Sequence, residues 1–519
     1  MEEWALEWLK KQREMGKKCL EIKYIQGKPY VYHSTSVYNR ETKKTKKVSY
    51  YIGRLTQDRG ILTKGSSRLS QDPDTTSPMP RPRSAFEYGN VQLLSQEFQE
   101  LVPILTESFP DHWQEIIALV FTRVSGYLPL KRVRSSWEKL DNPYRISPDC
   151  SPKNLSATLR AIGDDILGQD MVFKYLRKGN RHLIYDLSFV FSLSDNLSLA
   201  EWGHNANEIS IPQVNIALFI GLETGLPVML RPIPGSVKDI STLLPSMNEL
   251  QLRDVILILD RGFVSDDVMN EIIQRDCSFI LPQRRNSNYF ETRVHLNDTF
   301  RFHTRLIRGG KREVEKKIFY LFEDEDLKLE ERKTLFDKVE KGAITKDEAK
   351  TREKLAGRIL FLSNVDKTPL EIYELYKTRD LIEKYFDTLK NEIQADILYL
   401  GDRSAVCGHL FVGFLCLYLY CKIMALIKRA ELTAEYSPKD VLLIFSKVMK
   451  ISYEGFEQIT EVPKKVRELE GKINVKLFPK LANSSGSNRF MMPTRTSLLT
   501  KNALPAGPVP QSARSKISL

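Results

Sequence analysis

Several kinds of chemistry are missing from this sequence of 519 residues. No GxxxxGKS or GxxxxGKT loop is present to cradle a nucleoside triphosphate, so an ATP-driven activity has no support. The seven histidines form neither an HExxH pair nor any other close pair, and His204 reads as structural. Six cysteines are scattered at 19, 150, 277, 407, 416 and 421 without a CxxC. That spacing argues against a zinc ribbon or a disulfide framework and fits a reducing cytoplasm. The opening MEEWALEWLKKQ lacks a basic stretch followed by an apolar run, so no secretory signal is read there. One long apolar run, from Ala405 through AVCGHLFVGFLCLYLYCKIMALIKR, approaches a membrane span. His409 interrupts it early and Lys422 late, so a buried core helix carrying Cys416 and Cys421 is expected, and no membrane partner. Acid is also in short supply. The 66 Asp and Glu against 78 Lys and Arg leave a charge of +12, which favours a polyanionic partner.

What is present falls into blocks. Residues 1–62 alternate like short strands, with thirteen Lys and Arg against three Glu between Lys10 and Arg54, and with tyrosines interleaved. A small basic β-rich DNA-binding module fits that pattern, as does a merely solvated face. Residues 63–85 are rich in Ser, Pro and Arg and read as a linker. Residues 86–178 show helical periodicity, with SPKNLSATLRAIGDDIL as a capped helix, and form a helical DNA-binding domain. From 180 to 285 strands come first and then alternate with helices, an α/β pattern with a mixed sheet. Residues 286–360 read as a β-rich insertion with a charged helical part, and 361–430 return to the apolar style of the core. Residues 431–480 read as a C-terminal helical region. The last 39 residues, 481–519, carry five Lys or Arg and no acid, a basic disordered tail.

Two acids stand out within the α/β block. Asp186 lies inside the strand pattern HLIYDLSFVF, on the face shared by Ile184, Ser188 and Val190. An ionised carboxylate there is costly unless it is paired or binds a metal. Asp260 closes the apolar run VILILD and is followed by Arg261 and Gly262, at the carboxyl end of a central strand where ligands of α/β sheets collect. An Asx turn or an N-cap would explain Asp260 equally well.

A third acid lies in YELYKTRDLIEKYFDTLKNEI, residues 373–393. On one helix at about 100° per residue, Tyr376, Arg379, Glu383 and Lys390 fall within roughly 60° of one another, along the edge of an apolar face. An ordinary amphipathic helix with an Arg379–Glu383 pair gives the same pattern. Asp186, Asp260 and Glu383 together can converge above one sheet edge and hold two Mg²⁺ ions for phosphodiester transfer, with basic residues beside them on DNA.

The spacing Tyr376-x2-Arg379-x3-Glu383-x6-Lys390 resembles the Tyr-Arg-Glu-Lys signature of DDE transposases of prokaryotic insertion sequences. Asp186, Asp260-Arg261-Gly262 and the stretches 203–205 and 232–239 resemble further blocks of that group, so the similarity spans about 180–430. The resemblance implies an α/β RNase H-like catalytic domain with a β-rich insertion, preceded by the small basic β module and the helical domain. It implies catalysis and metal binding by Asp186, Asp260 and Glu383, and DNA contacts from Tyr376, Arg379, Lys390 and Arg261. Mg²⁺ is the implied cofactor, with Mn²⁺ as a substitute. The implied partners are double-stranded DNA, as terminal inverted repeats and target, and a second copy of the chain in a homodimeric synapse. The implied setting is cytoplasmic, at the nucleoid. Some relatives stack a flipped base on a tryptophan of the insertion, but the five tryptophans here lie at 4, 8, 113, 137 and 202. Phe290, Phe300, Phe302 and Tyr320 are candidates for that place. A transposase derivative that binds DNA without catalysis is the alternative, and a two-carboxylate glycosidase is a more distant one.

Overall fold

A computed structural model describes residues 2–39, 44–57, 60–62, 81–126, 129–194, 196–203, 211–237, 240–263, 265–315, 317–394, 397–398 and 400–479. Most of the 63–85 linker, the 481–519 tail and His204 therefore lie outside the described residues. The chain divides into two compact units, Met1–Arg81 and Pro82–Leu519.

The first unit opens with a helix, α1 (Glu3–Glu14), which the sequence reading of a β-rich module does not include. Ala5 and Leu9, four residues apart, point to one side and pack on the sheet that follows. That sheet is antiparallel, in the order β1 (Leu20–Ile25), β2 (Lys28–Asn39), β3 (Lys44–Thr56) and β4 (Gly60–Leu62). Gln26 and Gly27 join β1 to β2 with φ of 51° and 73°, the two left-handed residues of a tight hairpin turn. Leu20, Ile22, Val31 and Leu55 complete the small core, with Trp4 and Trp8 against it.

The second unit begins with β5 (Ser84–Glu87) and six helices: α2 (Gly89–Phe98), α3 (Val102–Ser108), α4 (Trp113–Ser125), α5 (Leu130–Trp137), α6 (Pro152–Asp164) and α7 (Ile166–Arg177). Ser151 caps α6, its hydroxyl accepting from the Asn154 amide, as the SPKN sequence requires.

There follow β6 (His182–Ser192), β7 (Gln213–Gly221), β8 (Leu226–Pro234), α8 (Ile240–Glu249), β9 (Ile256–Ile258), α9 (Asp266–Gln274) and β10 (Ser278–Pro282). Next come β11 (Asp298–Phe302), β12 (Arg305–Val314), β13 (Lys317–Asp324), α10 (Glu325–Glu340), α11 (Lys346–Glu353) and β14 (Arg358–Ser363). The chain then runs through α12 (Pro369–Lys377), α13 (Asp380–Asp387), β15 (Ile397–Leu398), α14 (Arg403–Arg429), α15 (Pro438–Phe445), β16 (Met449–Ser452), β17 (Glu457–Ile459) and α16 (Lys464–Lys472).

One large mixed sheet organises these elements, in the order β11-β12-β13-β14-β10-β9-β6-β7-β8. β9 pairs in parallel with both β6 and β10, β15 runs parallel to the end of β6, and the other pairings are antiparallel. The strands of the 286–360 stretch thus continue the main sheet, through pairing of β14 with both β10 and β13. The charged part of that stretch forms the two helices α10 and α11, as expected from its composition. Residues 431–480 are not helical throughout, because β16 and β17 join β5 in a separate three-stranded sheet.

α14 has the length and apolarity of a membrane-crossing helix, yet most of its apolar run, Cys416 and Cys421 included, is buried within the protein. It lies backbone to backbone against α6. A Cβ placed on Gly163 would stand 1.8 Å from the Ser404 carbonyl, and one on Gly408 would stand 1.9 Å from that of Leu159. Two glycines facing each other make that approach possible.

Candidate active site

Asp186 sits in the middle of β6, and Asp260 follows the end of the neighbouring parallel strand β9. The register pairs His182 with Ile256 and Ile184 with Ile258, and extending it two residues brings Asp186 level with Asp260. β9 is short because Asp260 ends its apolar run, and Arg261–Phe263 turn away in a single tight helical turn. Two adjacent strands therefore present two carboxylates at the same height of one sheet.

The third acid arrives on a segment that departs from the single helix expected over 373–393. Thr368 caps α12 in a reciprocal box with Glu371. The helical ladder then breaks at Thr378–Arg379, where the Arg379 amide bonds back three residues to Tyr376 and the Thr378 hydroxyl donates to the Leu375 carbonyl. α13 carries Glu383, and its continuation Thr388–Glu392 is a π-turn, closed by the Ile393 amide on the Thr388 carbonyl five residues back. The uniform 100° advance assumed for one helix therefore fails at two places. Ile382, Phe386, Leu389 and Ile393 still face inward, so the apolar side is preserved.

Arg379, in the break, is the hub of the site. Its Nη2 lies 2.8 Å from Asp186 Oδ2, and its Nη1 lies 3.4 Å from Asp260 Oδ1 and 3.8 Å from Glu383 Oε1. One guanidinium thus touches all three acids. Their side chains grade from deep to open, 14% exposed at Asp186, 36% at Asp260 and 64% at Glu383, with Arg379 at 17%. Burial pushes the Asp186 carboxyl up to about 6, even though Arg379 and the Leu187 amide, which donates to it, pull the other way. Arg379 is held above its usual range, because the attraction of Asp186 and Asp260 outweighs its own burial.

The remaining residues of the pattern surround this hub. Tyr376 packs on Phe361, with ring centroids 4.4 Å apart, and burial raises its phenol. Arg261 is exposed beside Asp260. Lys390 reaches β6 beside Asp186. Its ammonium donates to Ser188 Oγ at 2.8 Å and lies 4.7 Å from the centre of the Phe189 ring, two residues along β6 from Asp186. Ser188 is the partner that sequence reading passed over; its signal was its place two residues from Asp186 on one strand face.

Residues 178–419 match the family model of the transposase DDE domain. The match supports a DDE transposase. That stretch contains all three acids, Arg379 and Lys390. No curated protein matches the chain. Among solved structures, one similar to this transposase candidate is the cryo-EM structure of the piggyBac transposase synaptic complex with hairpin DNA. It shares 12% identity at a TM-score of 0.37, covering 77% of this chain and 87% of that one.

Transposases of the DDE family use divalent metal ions, and the donor set here can be tested against that need. Carboxylate oxygens are the ligands hard cations prefer. Three of them share one guanidinium, and the deepest stays short of positive charge, so the residue types and the charge deficit fit a cation. As they stand, no three acidic, histidine or cysteine side chains among the described residues are close enough together to hold an ion. Arg379 stands among the three carboxylates instead.

Two further residues support the site from behind. Arg123 of α4 is buried, and its Nε donates to the Ile393 carbonyl at 3.1 Å while its Nη2 reaches that of Gln394 at 3.5 Å. Those carbonyls end the π-turn that carries Lys390. His409 of α14 faces the same guanidinium, 3.3 Å from Nε2 to Nη2, and burial first, then Arg123, drive its pKa far down, so the ring is neutral. Neither residue carried a sequence signal for these contacts, because their partners lie 270 and 286 positions away. Three of the four aromatics considered for base stacking are committed elsewhere, and Phe290 is half-buried. Tyr320 is fully buried with its hydroxyl on the Val365 carbonyl, and Phe300 and Phe302 pack on Tyr373.

Proposed function

We propose that the chain is a DDE transposase that binds the terminal inverted repeats of its own insertion sequence, cleaves at their ends and joins the resulting 3′-hydroxyls to target DNA. The observation that carries the reading is the meeting of Asp186, Asp260 and Glu383 around Arg379. The strand order β8-β7-β6-β9-β10, with β6, β9 and β10 parallel, supports an RNase H-like core beneath it. When bound between these carboxylates, Mg²⁺, or Mn²⁺ in its place, would activate a water or 3′-hydroxyl and stabilise the leaving oxygen.

The chain's own residues do the rest. Asp186 and Asp260 hold the deep side of the site and Glu383 its open side. Arg379 neutralises part of their charge and stands ready for a phosphate oxygen, since a guanidinium offers several donors in one plane. Arg261 and Lys390, on either side, extend the positive rim along the backbone of a duplex, and Tyr376 braces Arg379. A surplus of +12 charges gives the whole chain attraction for DNA. Synapsis by a homodimer at the nucleoid of the cytoplasm belongs to the same proposal.

The test is strand cleavage of a labelled duplex carrying the repeats that flank the gene, with Mg²⁺, comparing wild type with Glu383→Ala. Cleavage at the repeat end by the wild type alone is expected. Cleavage by both would remove Glu383 from the site. Binding without cleavage by either, with Mn²⁺ also failing, would leave a DNA-binding derivative that has lost catalysis.

A further inference from the structure

The sheet of the first unit has two unlike faces. α1 closes one, over Leu20, Ile22, Val31 and Leu55. The other carries Lys23, Tyr30 and Arg54 in one row across β1, β2 and β3, and Glu21, Tyr32 and Tyr51 in the next. A bulge at Val31/Tyr32 shifts the register between these rows and keeps Tyr51 and Arg54 on the same side. Tyr51 is the centre of the aromatic group. Its ring lies 6.0 Å from that of Tyr30 and 5.5 Å from that of Tyr32, and it remains 43% exposed. The unit's core does not use these rings.

Charge surrounds them. Lys23 Nζ stands 4.6 Å from the centre of the Tyr32 ring. Alternation puts four of the six Lys or Arg of these strands, Lys23, Lys28, Lys47 and Arg54, on this face, with one acid, Glu21. That acid is already neutralised, with Lys47 Nζ at 2.8 Å and the Ser34 hydroxyl donating at 2.6 Å. Ordinary cross-strand packing accounts for two paired tyrosines. It does not account for a three-ring cluster left open on the face away from the core and rimmed by cations. A duplex buries its bases and would meet such a face with phosphate alone. An unpaired strand would offer both phosphate and the flat faces of its bases, which is what aromatic rings beside cations recognise.

We infer that the open face of this sheet, centred on Tyr30, Tyr32 and Tyr51, stacks the bases of an unpaired DNA strand. The choice of DNA rests on the transposase reading, since strand cleavage at an element's end gives such strands. The full-length chain, without divalent metal, is titrated by fluorescence anisotropy against labelled oligothymidylate of about twelve nucleotides, a length suited to one such face. An abasic strand of equal length and an oligouridylate serve as comparisons. Wild type is expected to bind thymidylate more tightly than the abasic strand. Tyr51→Ala should lose about tenfold on thymidylate and nothing on the abasic strand, while Tyr51→Phe retains the wild-type affinity. Equal binding of thymidylate and abasic strand, or an unchanged Tyr51→Ala, overturns base stacking. Tighter binding of uridylate than of thymidylate overturns the assignment to DNA. No cleavage is read, so this result is independent of the Glu383→Ala outcome.

Discussion

Replacing Arg123 with methionine removes a charge that bonds the segment behind the site, and the site should suffer. Methionine fills a similar volume with a flexible apolar chain, so packing is largely kept. What is lost is the donor set on the Ile393 and Gln394 carbonyls, which close the π-turn after Glu383 and Lys390. A buried acceptor left without a partner costs about 1–3 kcal/mol, and the Ile393 carbonyl is one; that of Gln394, an exposed residue, can turn to water. Relief of the burial of the guanidinium itself returns part of this, which leaves about 1–2 kcal/mol. A chain of two units does not unfold as one, so a global unfolding free energy is the wrong reading. The cost should appear locally, as easier opening of residues 380–394. Hydrogen exchange followed by mass spectrometry measures this directly, and about 1–2 kcal/mol corresponds to protection falling roughly 5- to 30-fold. Peptides from β6 and β9 should keep their protection, and strand cleavage should fall with the opening of the helix. Protection of 380–394 within about threefold of wild type would falsify the idea that α4 clamps this segment.

Two other perturbations follow from the geometry. Glu323 is 3% exposed and bound by Arg308 at 2.7 Å, Lys328 at 3.0 Å and Arg358 at 3.3 Å. Burial would raise its pKa, but hydrogen bonds from Lys328 and Arg308 draw it down to about 2. A folded pKa below the unfolded value means stability that is present above about 4.5 and is lost as pH falls toward 2; acid unfolding of Glu323→Gln should be shallower over that window, and an identical acid limb would refute the assignment. Gly408→Val forces α6 and α14 apart, since even a Cβ would meet the Leu159 carbonyl at 1.9 Å; the expected result is loss of several kcal/mol or failure to fold, and a melting temperature within about 2 °C of wild type would contradict the close approach.

Much of the fold was legible because its signals are local. Apolar runs marked β6 to β10, Ser151 marked a helix start, and the interruption of the apolar run by His409 and Lys422 pointed to a buried helix. Pairing across long separations was not legible. Nothing in 286–360 announces that β14 will close onto β10, and nothing in residues 84–87 announces a partner at 449–452. α1 was missed because its inward face is only Ala5 and Leu9, too small a stripe to stand out from its charged neighbours. At the site, the one-dimensional spacing named the acids and Arg379. It misjudged their support, because helix arithmetic assumes an unbroken ladder, and here a tight turn and a π-turn each change the angle. The Arg123–His409 contact joins segments nearly 300 residues apart and has no local trace.

The chain also contains its own control for what a charged cluster means. Around Glu323, three cations hold one buried acid, two of them also reaching Glu325, and the Glu323 pKa falls to about 2. Around Arg379 the ratio is reversed, with three acids on one cation and the deepest of them pushed up to about 6. The ingredients are the same and the charge balance is opposite. A cluster that serves stability can satisfy its charges from within, as the first does. The second leaves an excess of negative charge at the edge of a central strand pair, partly open through Glu383, with Arg261 and Lys390 beside it. Such an arrangement is costly on its own account and is eased by further positive charge, such as a bound cation. That is why the acids around Arg379, and not the more numerous ion pairs elsewhere, form the candidate active site.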